Sequence, residues 1–253
     1  MPYSKNIMNN KIHHLQDVNN EMLAYYFNDL KSDTTLFFFG GYSSDMTGTK
    51  ATALSQWTET LKINYLRFDY SGHGQSSGDF SKGTLSKWLS EAKFFFEKFK
   101  SKKNIVIGSS MGGWIALLTA INNKDVDGLI GIASAPDFTK NEWNRLSEKE
   151  KEDFKTNGSV LFPDDDYGDY EVFYEFVKDG FQHEILDKEI EIFCPVRLLH
   201  GKLDKVIDYN VSKKVIEQLS GKNKSLTIID DGDHNLSRKQ DLEILFKTIK
   251  ELL

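Results

Sequence analysis

Cysteine is almost missing from this chain: Cys194 is the single one among 253 residues. That excludes an intramolecular disulfide framework and any paired Cys-x-x-Cys metal site. Lodged between Phe193 and Pro195 at a strand entry, Cys194 reads as a packed thiol. Long apolar runs are also lacking, and no stretch approaches the roughly 18 residues of a membrane-spanning helix. The start, Met1-Pro2-Tyr3-Ser4-Lys5-Asn6, carries no apolar segment of the kind a secretory signal needs. No arginine precedes Arg67, which argues against a transit peptide, so a cytoplasmic location is the expectation. An excess of positive charge is absent too: 32 Lys and Arg stand against 38 Asp and Glu, interspersed, for a net charge of -6. This leaves no electrostatic footprint for nucleic acid or an anionic membrane. Phosphate-loop and zinc-protease signatures do not occur. The string Asp69-Tyr70-Ser71-Gly72-His73-Gly74-Gln75-Ser76 imitates a dinucleotide fingerprint, but its third glycine, Gly78, falls one place late and leads into a polar loop. Neither a cofactor nor a metal is expected, and the run Asp164-Asp165-Asp166 reads as a solvated loop.

What is present is Gly108-Ser109-Ser110-Met111-Gly112, between the apolar run Asn104-Ile105-Val106-Ile107 and the helix-like run Trp114-Ile115-Ala116-Leu117-Leu118. A strand that turns sharply into a helix strains its central serine, and side chains two positions away on either side would collide, hence the glycines. The turn lifts the Ser110 hydroxyl clear of the sheet. The N–H of Met111, at the helix N-terminus, can then face a developing oxyanion.

A serine nucleophile needs an imidazole to take its proton and a carboxylate to orient the imidazole, in the chain order serine, acid, histidine. Asp204 follows the strand Val196-Arg197-Leu198-Leu199, and His234 follows the strand Leu226-Thr227-Ile228-Ile229 in a glycine turn before the last helix. The other histidines compete poorly. His13 and His14 lie in a polar stretch, His73 in a glycine turn, His183 after an aromatic helical segment and His200 at a strand end. Asp208, Asp231 and Asp233 are weaker candidates for the acid, being late in their loop or too close in sequence to His234. The second oxyanion donor is sought in Gly40-Gly41-Tyr42, after the strand Thr35 to Phe39, and the N–H of Tyr42 is the choice.

Apolar strands alternate with helical periodicity through most of the chain, which predicts a single α/β domain with a mainly parallel sheet and helices on both faces. Strands are expected at Met22 to Phe27, Thr35 to Phe39 and Tyr65 to Phe68. Helices are expected at Gly48 to Leu61, with Ser44 or Asp45 at its N-terminus, and at Leu85 to Phe99. From about 136 to 190 the pattern turns polar and charged with aromatic punctuation: Trp143, Phe154, Phe162, Tyr167, Tyr170, Phe173, Tyr174, Phe176 and Phe181. This is read as a helical cap insertion, some of whose aromatics face the serine while others form the cap's own small core.

With these residues assembled, the chain resembles an α/β-hydrolase. More closely, it resembles the small serine hydrolases related to a mitochondrial palmitoyl-protein thioesterase that also cleaves acyl glucuronides, together with bacterial homologues. The blocks that carry the resemblance are Gly40 to Met46 with Gly48-Thr49-Lys50-Ala51, Arg67 to Gly74, Gly108 to Trp114, and Gly232-Asp233-His234. It implies Ser110 as nucleophile, Asp204 as acid, His234 as base, and the N–H groups of Tyr42 and Met111 as the oxyanion hole. The implied activity is hydrolysis of a carboxylic ester or thioester of a small-molecule or acylated substrate. An aminopeptidase or amidase on the same scaffold, and a non-catalytic ligand-binding homologue, remain the alternatives. Neither the acyl length nor the oligomeric state follows from the sequence.

Overall fold

The structure is a computed structural model that describes residues 11–163 and 168–253. The acidic run 164–166, Tyr167 and the first ten residues, on which some of the expectations above fall, lie outside them. The chain begins with the strands β1 (His13–Gln16), β2 (Met22–Asn28) and β3 (Thr34–Phe39), then helix α1 (Thr49–Leu61) and strand β4 (Asn64–Phe68). Helix α2 (Leu85–Phe99), strand β5 (Lys103–Ser109), helix α3 (Met111–Ala120) and strand β6 (Gly128–Ile132) follow. After a long excursion that holds β7 (Ser159–Phe162) and β8 (Tyr170–Phe173) come β9 (Val196–Gly201), α7 (Asn210–Gln218), β10 (Lys224–Ile229) and α8 (Lys239–Lys250).

Eight strands form one sheet in the order β1-β2-β4-β3-β5-β6-β9-β10. The β1–β2 and β2–β4 pairings are antiparallel and the others parallel, a mostly parallel sheet as predicted. Burial on both faces explains the uninterrupted apolar strands. Along β3, Phe37 and Phe39 join the layer of Trp88, Phe95 and Phe96 from α2 and Ile115 from α3. Leu36 and Phe38 point the other way, toward Ala51 and Leu54 of α1 and Leu245 and Ile249 of α8. Each such fully buried side chain contributes about 1.5 to 3 kcal/mol of hydrophobic stabilisation.

Helix α1 starts later than a polar N-cap at Ser44 or Asp45 would place it. Its N-cap is Gly48, with no side-chain cap bond. Asp45 instead turns its carboxylate to the Thr47 N–H and hydroxyl (2.7 and 2.5 Å), and the Ser44 hydroxyl donates to the Gly41 carbonyl (3.0 Å), so both side chains serve the loop before the helix. Parallel pairing has the further effect of bringing the C-terminal ends of β3, β5, β6, β9 and β10 to one edge of the sheet, where open α/β sheets build their sites.

The excursion between β6 and β9 contains α4 (Phe138–Arg145), α5 (Glu148–Asn157), β7 (Ser159–Phe162), β8 (Tyr170–Phe173) and α6 (Tyr174–Gly180). It is thus not wholly helical: β7 and β8 pair antiparallel, with Val160 opposite Val172. Alternation explains the hairpin, since Phe162 and Val172 are buried while Leu161 and Glu171 are exposed. Trp143, Phe154 and Tyr174 pack on one another, the small core foreseen for this region.

Candidate active site

Ser110 is the single residue between β5 and α3, with φ 55° and ψ -121°. A side-chain-bearing residue in that region carries about 1 to 3 kcal/mol of strain and persists only where its surroundings hold it. Here they do. The Ser110 N–H donates to the Ile132 carbonyl (2.9 Å), and its own carbonyl accepts from the N–H groups of Gly113 (2.8 Å), Trp114 (3.3 Å) and Ala135 (3.1 Å). The flanking glycines are sterically required. A Cβ at Gly108 would lie 2.1 Å from the Gly112 carbonyl oxygen, and one at Gly112 would lie 2.1 Å from that of Phe39.

Asp204 enters from the loop after β9 and is wholly enclosed, with its side chain 0% exposed. One carboxylate oxygen accepts from the backbone N–H groups of Val206 (2.9 Å) and Ile207 (2.8 Å). The other meets His234 Nδ1 at 2.7 Å and His200 Nε2 at 3.1 Å. Burial alone would raise this carboxyl, but the hydrogen bonds from His200 and His234, and the backbone bond from Ile207, outweigh it and hold the group well below the usual carboxylate range. An ionised carboxylate can only accept, so the proton on His234 sits on Nδ1. That makes Nε2, 3.1 Å from Ser110 Oγ, the acceptor for the hydroxyl. The three residues picked from the sequence are therefore brought together, from three loops, in a continuous chain of hydrogen bonds.

His200, set aside in the sequence as a strand-end residue, is the piece that reasoning missed. It is 0% exposed, and its Nε2 faces two acceptors, Asp204 and the Ile207 carbonyl (2.9 Å), so that nitrogen carries a proton. Nδ1 then accepts from the Ser212 hydroxyl at 2.7 Å. The four-residue spacing from His200 to Asp204 was the only available signal. The remaining histidines lie elsewhere: His183 Nε2 is 2.7 Å from the Ser86 hydroxyl, and His73 is buried among Tyr70, Phe80 and Trp88, where burial pushes its pKa down to about 4.

Met111 opens α3, so its N–H is a first-turn donor with no intrahelical acceptor. Tyr42, in the loop after β3, lines the cavities at Ser110, and a Cβ on neighbouring Gly41 would come within 3.4 Å of Ser110 Cβ. That loop is fastened from below: Asp69 accepts the Met46 N–H (2.6 Å) while Arg67 donates to the Met46 carbonyl (2.6 Å). Above, the Tyr42 hydroxyl donates to the Glu171 carbonyl of the hairpin (2.9 Å), and its ring packs on Phe80, Phe138 and Phe176. Asp137, at the start of the excursion, accepts from the N–H groups of Ile185 and Leu186 (2.9 Å each) and ties the end of that segment back to its beginning.

Two cavities meet at Ser110 and share Tyr42, His234 and Asn235. The one under the hairpin, about 440 Å³, has apolar walls from Ala135, Phe138, Val206 and Ile207, with Tyr170 and Glu142 toward the hairpin side. The other, about 340 Å³, is lined by Gly40, Gly41, Ser44, Thr49, Lys50 and Ser237. Burial pushes the Lys50 amine down to about 8, against the raising effect of Asp233 and Asp241. Among the described residues no group of three or more His, Cys, Asp or Glu is placed to hold a metal ion, and no helix is long and apolar enough to cross a membrane. Cys194 lies far from this chemistry, its thiol pushed up to about 11 by burial.

A mostly parallel sheet flanked by helices, with a strained serine at the end of a central strand, defines the α/β-hydrolase class. Residues 31–161 match the family described as serine aminopeptidase, S33, and the chain belongs to that hydrolase family. It is 33% identical over 221 residues to human "Palmitoyl-protein thioesterase ABHD10, mitochondrial", covering 86% of this chain and 72% of that protein. Among solved structures it is similar to a putative hydrolase from Agrobacterium vitis S4 (34% identity, TM-score 0.89, 96% of this chain and 98% of that one). It is equally similar in fold to alpha/beta hydrolase domain-containing protein 10 from mouse (30% identity, TM-score 0.89, the same coverage).

Proposed function

We propose that this protein is a serine hydrolase that cleaves carboxylic esters or thioesters through an acyl-Ser110 intermediate. The observation that carries the reading is the hydrogen-bonded chain from Ser110 Oγ through His234 to Asp204, seated where two cavities join. In this reading His234 Nε2 takes the hydroxyl proton as Ser110 Oγ attacks the carbonyl carbon, and Asp204 stabilises the imidazolium. The carbonyl oxygen, now an oxyanion, is met by the N–H groups of Met111 and Tyr42, each worth on the order of 3 kcal/mol of transition-state stabilisation. Collapse breaks the ester or thioester bond, and His234 protonates the leaving alcohol or thiol. Water, deprotonated by the same imidazole, then releases the acid and restores Ser110.

The acyl chain is assigned to the cavity under the hairpin, because its walls at Ala135, Phe138, Val206 and Ile207 are apolar. Each buried methylene there contributes about 0.8 kcal/mol, roughly fourfold in kcat/KM. The human relative is named a palmitoyl-protein thioesterase, which agrees with an acyl substrate. The family description keeps an aminopeptidase reading as its rival. A fluorophosphonate probe should label the native protein and not Ser110→Ala, and a chain-length series of 4-nitrophenyl esters and acyl thioesters should be turned over. Hydrolysis of peptide anilides without ester turnover would replace this proposal by the aminopeptidase one. Absence of labelling would leave a ligand-binding protein.

A further inference from the structure

Lys50 stands in the first turn of α1, on the wall of the smaller cavity opposite the His234 loop. Its ammonium crosses that cavity and donates to the carbonyl of Asn235, the residue directly after His234, with the Ser237 hydroxyl 3.5 Å away. The Ser237 hydroxyl donates to the same Asn235 carbonyl at 3.0 Å. The next residue, Leu236, is held at φ 43°, and its N–H donates to Asp233 Oδ1 (2.9 Å). This turn is therefore strained and short, and its setting decides where the imidazole lies relative to Ser110. Farther along, Arg238 pairs with Asp231 and Asp241 and secures the C-terminal side of the turn to α8. From the α1 wall the turn is reached by the Lys50 bond, beside the bonds that His234 itself makes to Asp204 and Ser110. Desolvating the ammonium is costly, and the nearby carboxylates of Asp233 and Asp241 offset that cost only in part, since its pKa still falls to about 8. The bond accounts for the charge by what it joins: α1, which follows the Tyr42 loop, and the turn that bears His234.

We propose that Lys50 is a positioning residue, a clamp that keeps His234 Nε2 in register with Ser110 Oγ by fixing the Asn235 carbonyl from across the cleft. The proposal rests on the serine-hydrolase reading for its kinetic consequence, but not for its structural one. Without the clamp the imidazole samples positions displaced from the hydroxyl, and a misplacement of about 1 Å can cost on the order of a hundredfold in rate.

The test uses the full chain with K50M, K50R and, should K50M fail to fold, K50Q. With a neutral 4-nitrophenyl ester, K50M should lower kcat by roughly tenfold to a hundredfold and leave KM within about twofold, the signature of a lost transition-state arrangement. K50R, which retains a cation able to reach the carbonyl, should recover most of kcat. Backbone amide exchange at residues 233–237 should accelerate in K50M and return toward the native rate in K50R. Unchanged kcat for the neutral ester, or a change confined to KM with anionic substrates, would overturn the clamp and make the ammonium a substrate contact. Native exchange rates at 233–237 in K50M would also overturn it. If neither wild type nor variants hydrolyse any ester, the proposed activity fails, while the exchange comparison still decides whether Lys50 holds the turn.

Discussion

Replacing Glu91 by glutamine removes a charge from a site where the fold can barely tolerate one. Glu91, on α2, is 0% exposed, and one of its oxygens accepts the Ser71 N–H at 2.9 Å. Among the described residues no hydrogen bond reaches the other oxygen, and the hydroxyls of Tyr70 and Ser71 are buried beside the carboxyl. Burial is the largest influence on its carboxyl and, despite the lowering bonds from Ser71, pushes the pKa from 4.5 up to about 7. The acid is raised in the folded state, so its contribution to stability is complete below about 4.5 and is lost as pH rises through 7. At about 1.4 kcal/mol per pH unit, the loss between pH 5 and pH 8 is roughly 2.5 kcal/mol. Glutamine keeps an acceptor for the Ser71 N–H and has nothing to ionise. Urea unfolding of wild type and E91Q at both pH values, compared as differences so that common groups cancel, should show wild type losing about that much more stability than E91Q on the alkaline side. Parallel stability curves for the two proteins between pH 5 and 8 would refute the argument, because they would mean that the carboxyl ionises in the folded protein as freely as in the unfolded chain.

His200→Gln should lower kcat by about tenfold and cost about 1 to 3 kcal/mol of stability, since it disturbs one of the four partners of Asp204 and risks stranding the Ser212 hydroxyl. Steady-state kinetics with a thermal melt measure both, and an unaltered kcat would reduce His200 to a packing residue. Gly108→Ala should prevent accumulation of folded protein, because its methyl would lie 2.1 Å from a backbone oxygen that cannot retreat. A soluble variant with native circular dichroism would disprove the steric account. Phe138→Ala should shift the preferred acyl length upward in an ester series while costing about 3 kcal/mol, because the ring both walls the larger cavity and packs on Trp114 and Phe176. An identical length profile would place the acyl chain elsewhere.

The sheet was legible because parallel strands buried on both faces write themselves as short apolar runs, and β3 and β5 could be placed to within a residue or two. The elbow was legible for a different reason: a turn that permits no Cβ at positions 108 and 112 leaves two glycines at fixed distance from a serine. The start of α1 was not. Its cap is a glycine, and the polar residues before it, Ser44 and Asp45, spend their hydrogen bonds on the loop. The β7–β8 hairpin escaped notice because its strands are only four residues long, too short for alternation to stand out among surrounding helical segments. Lys50 and Asp137 share one difficulty: each bonds to backbone contributed by a distant segment, and no local spacing announces such a partner. His200 offered only its four-residue spacing to Asp204, which by itself does not separate a carboxylate's partner from a strand-end residue.

Tyr42 makes the region above the sheet hard to exchange. Its phenol hangs from the Glu171 carbonyl while the residue lines both cavities that meet at Ser110, so one residue couples the hairpin to the surroundings of the serine. A chimera that grafts another insertion between β6 and β9 must present a carbonyl at the same height. Otherwise the graft alters the serine's surroundings as well, and under the proposed activity specificity and rate could not be exchanged separately.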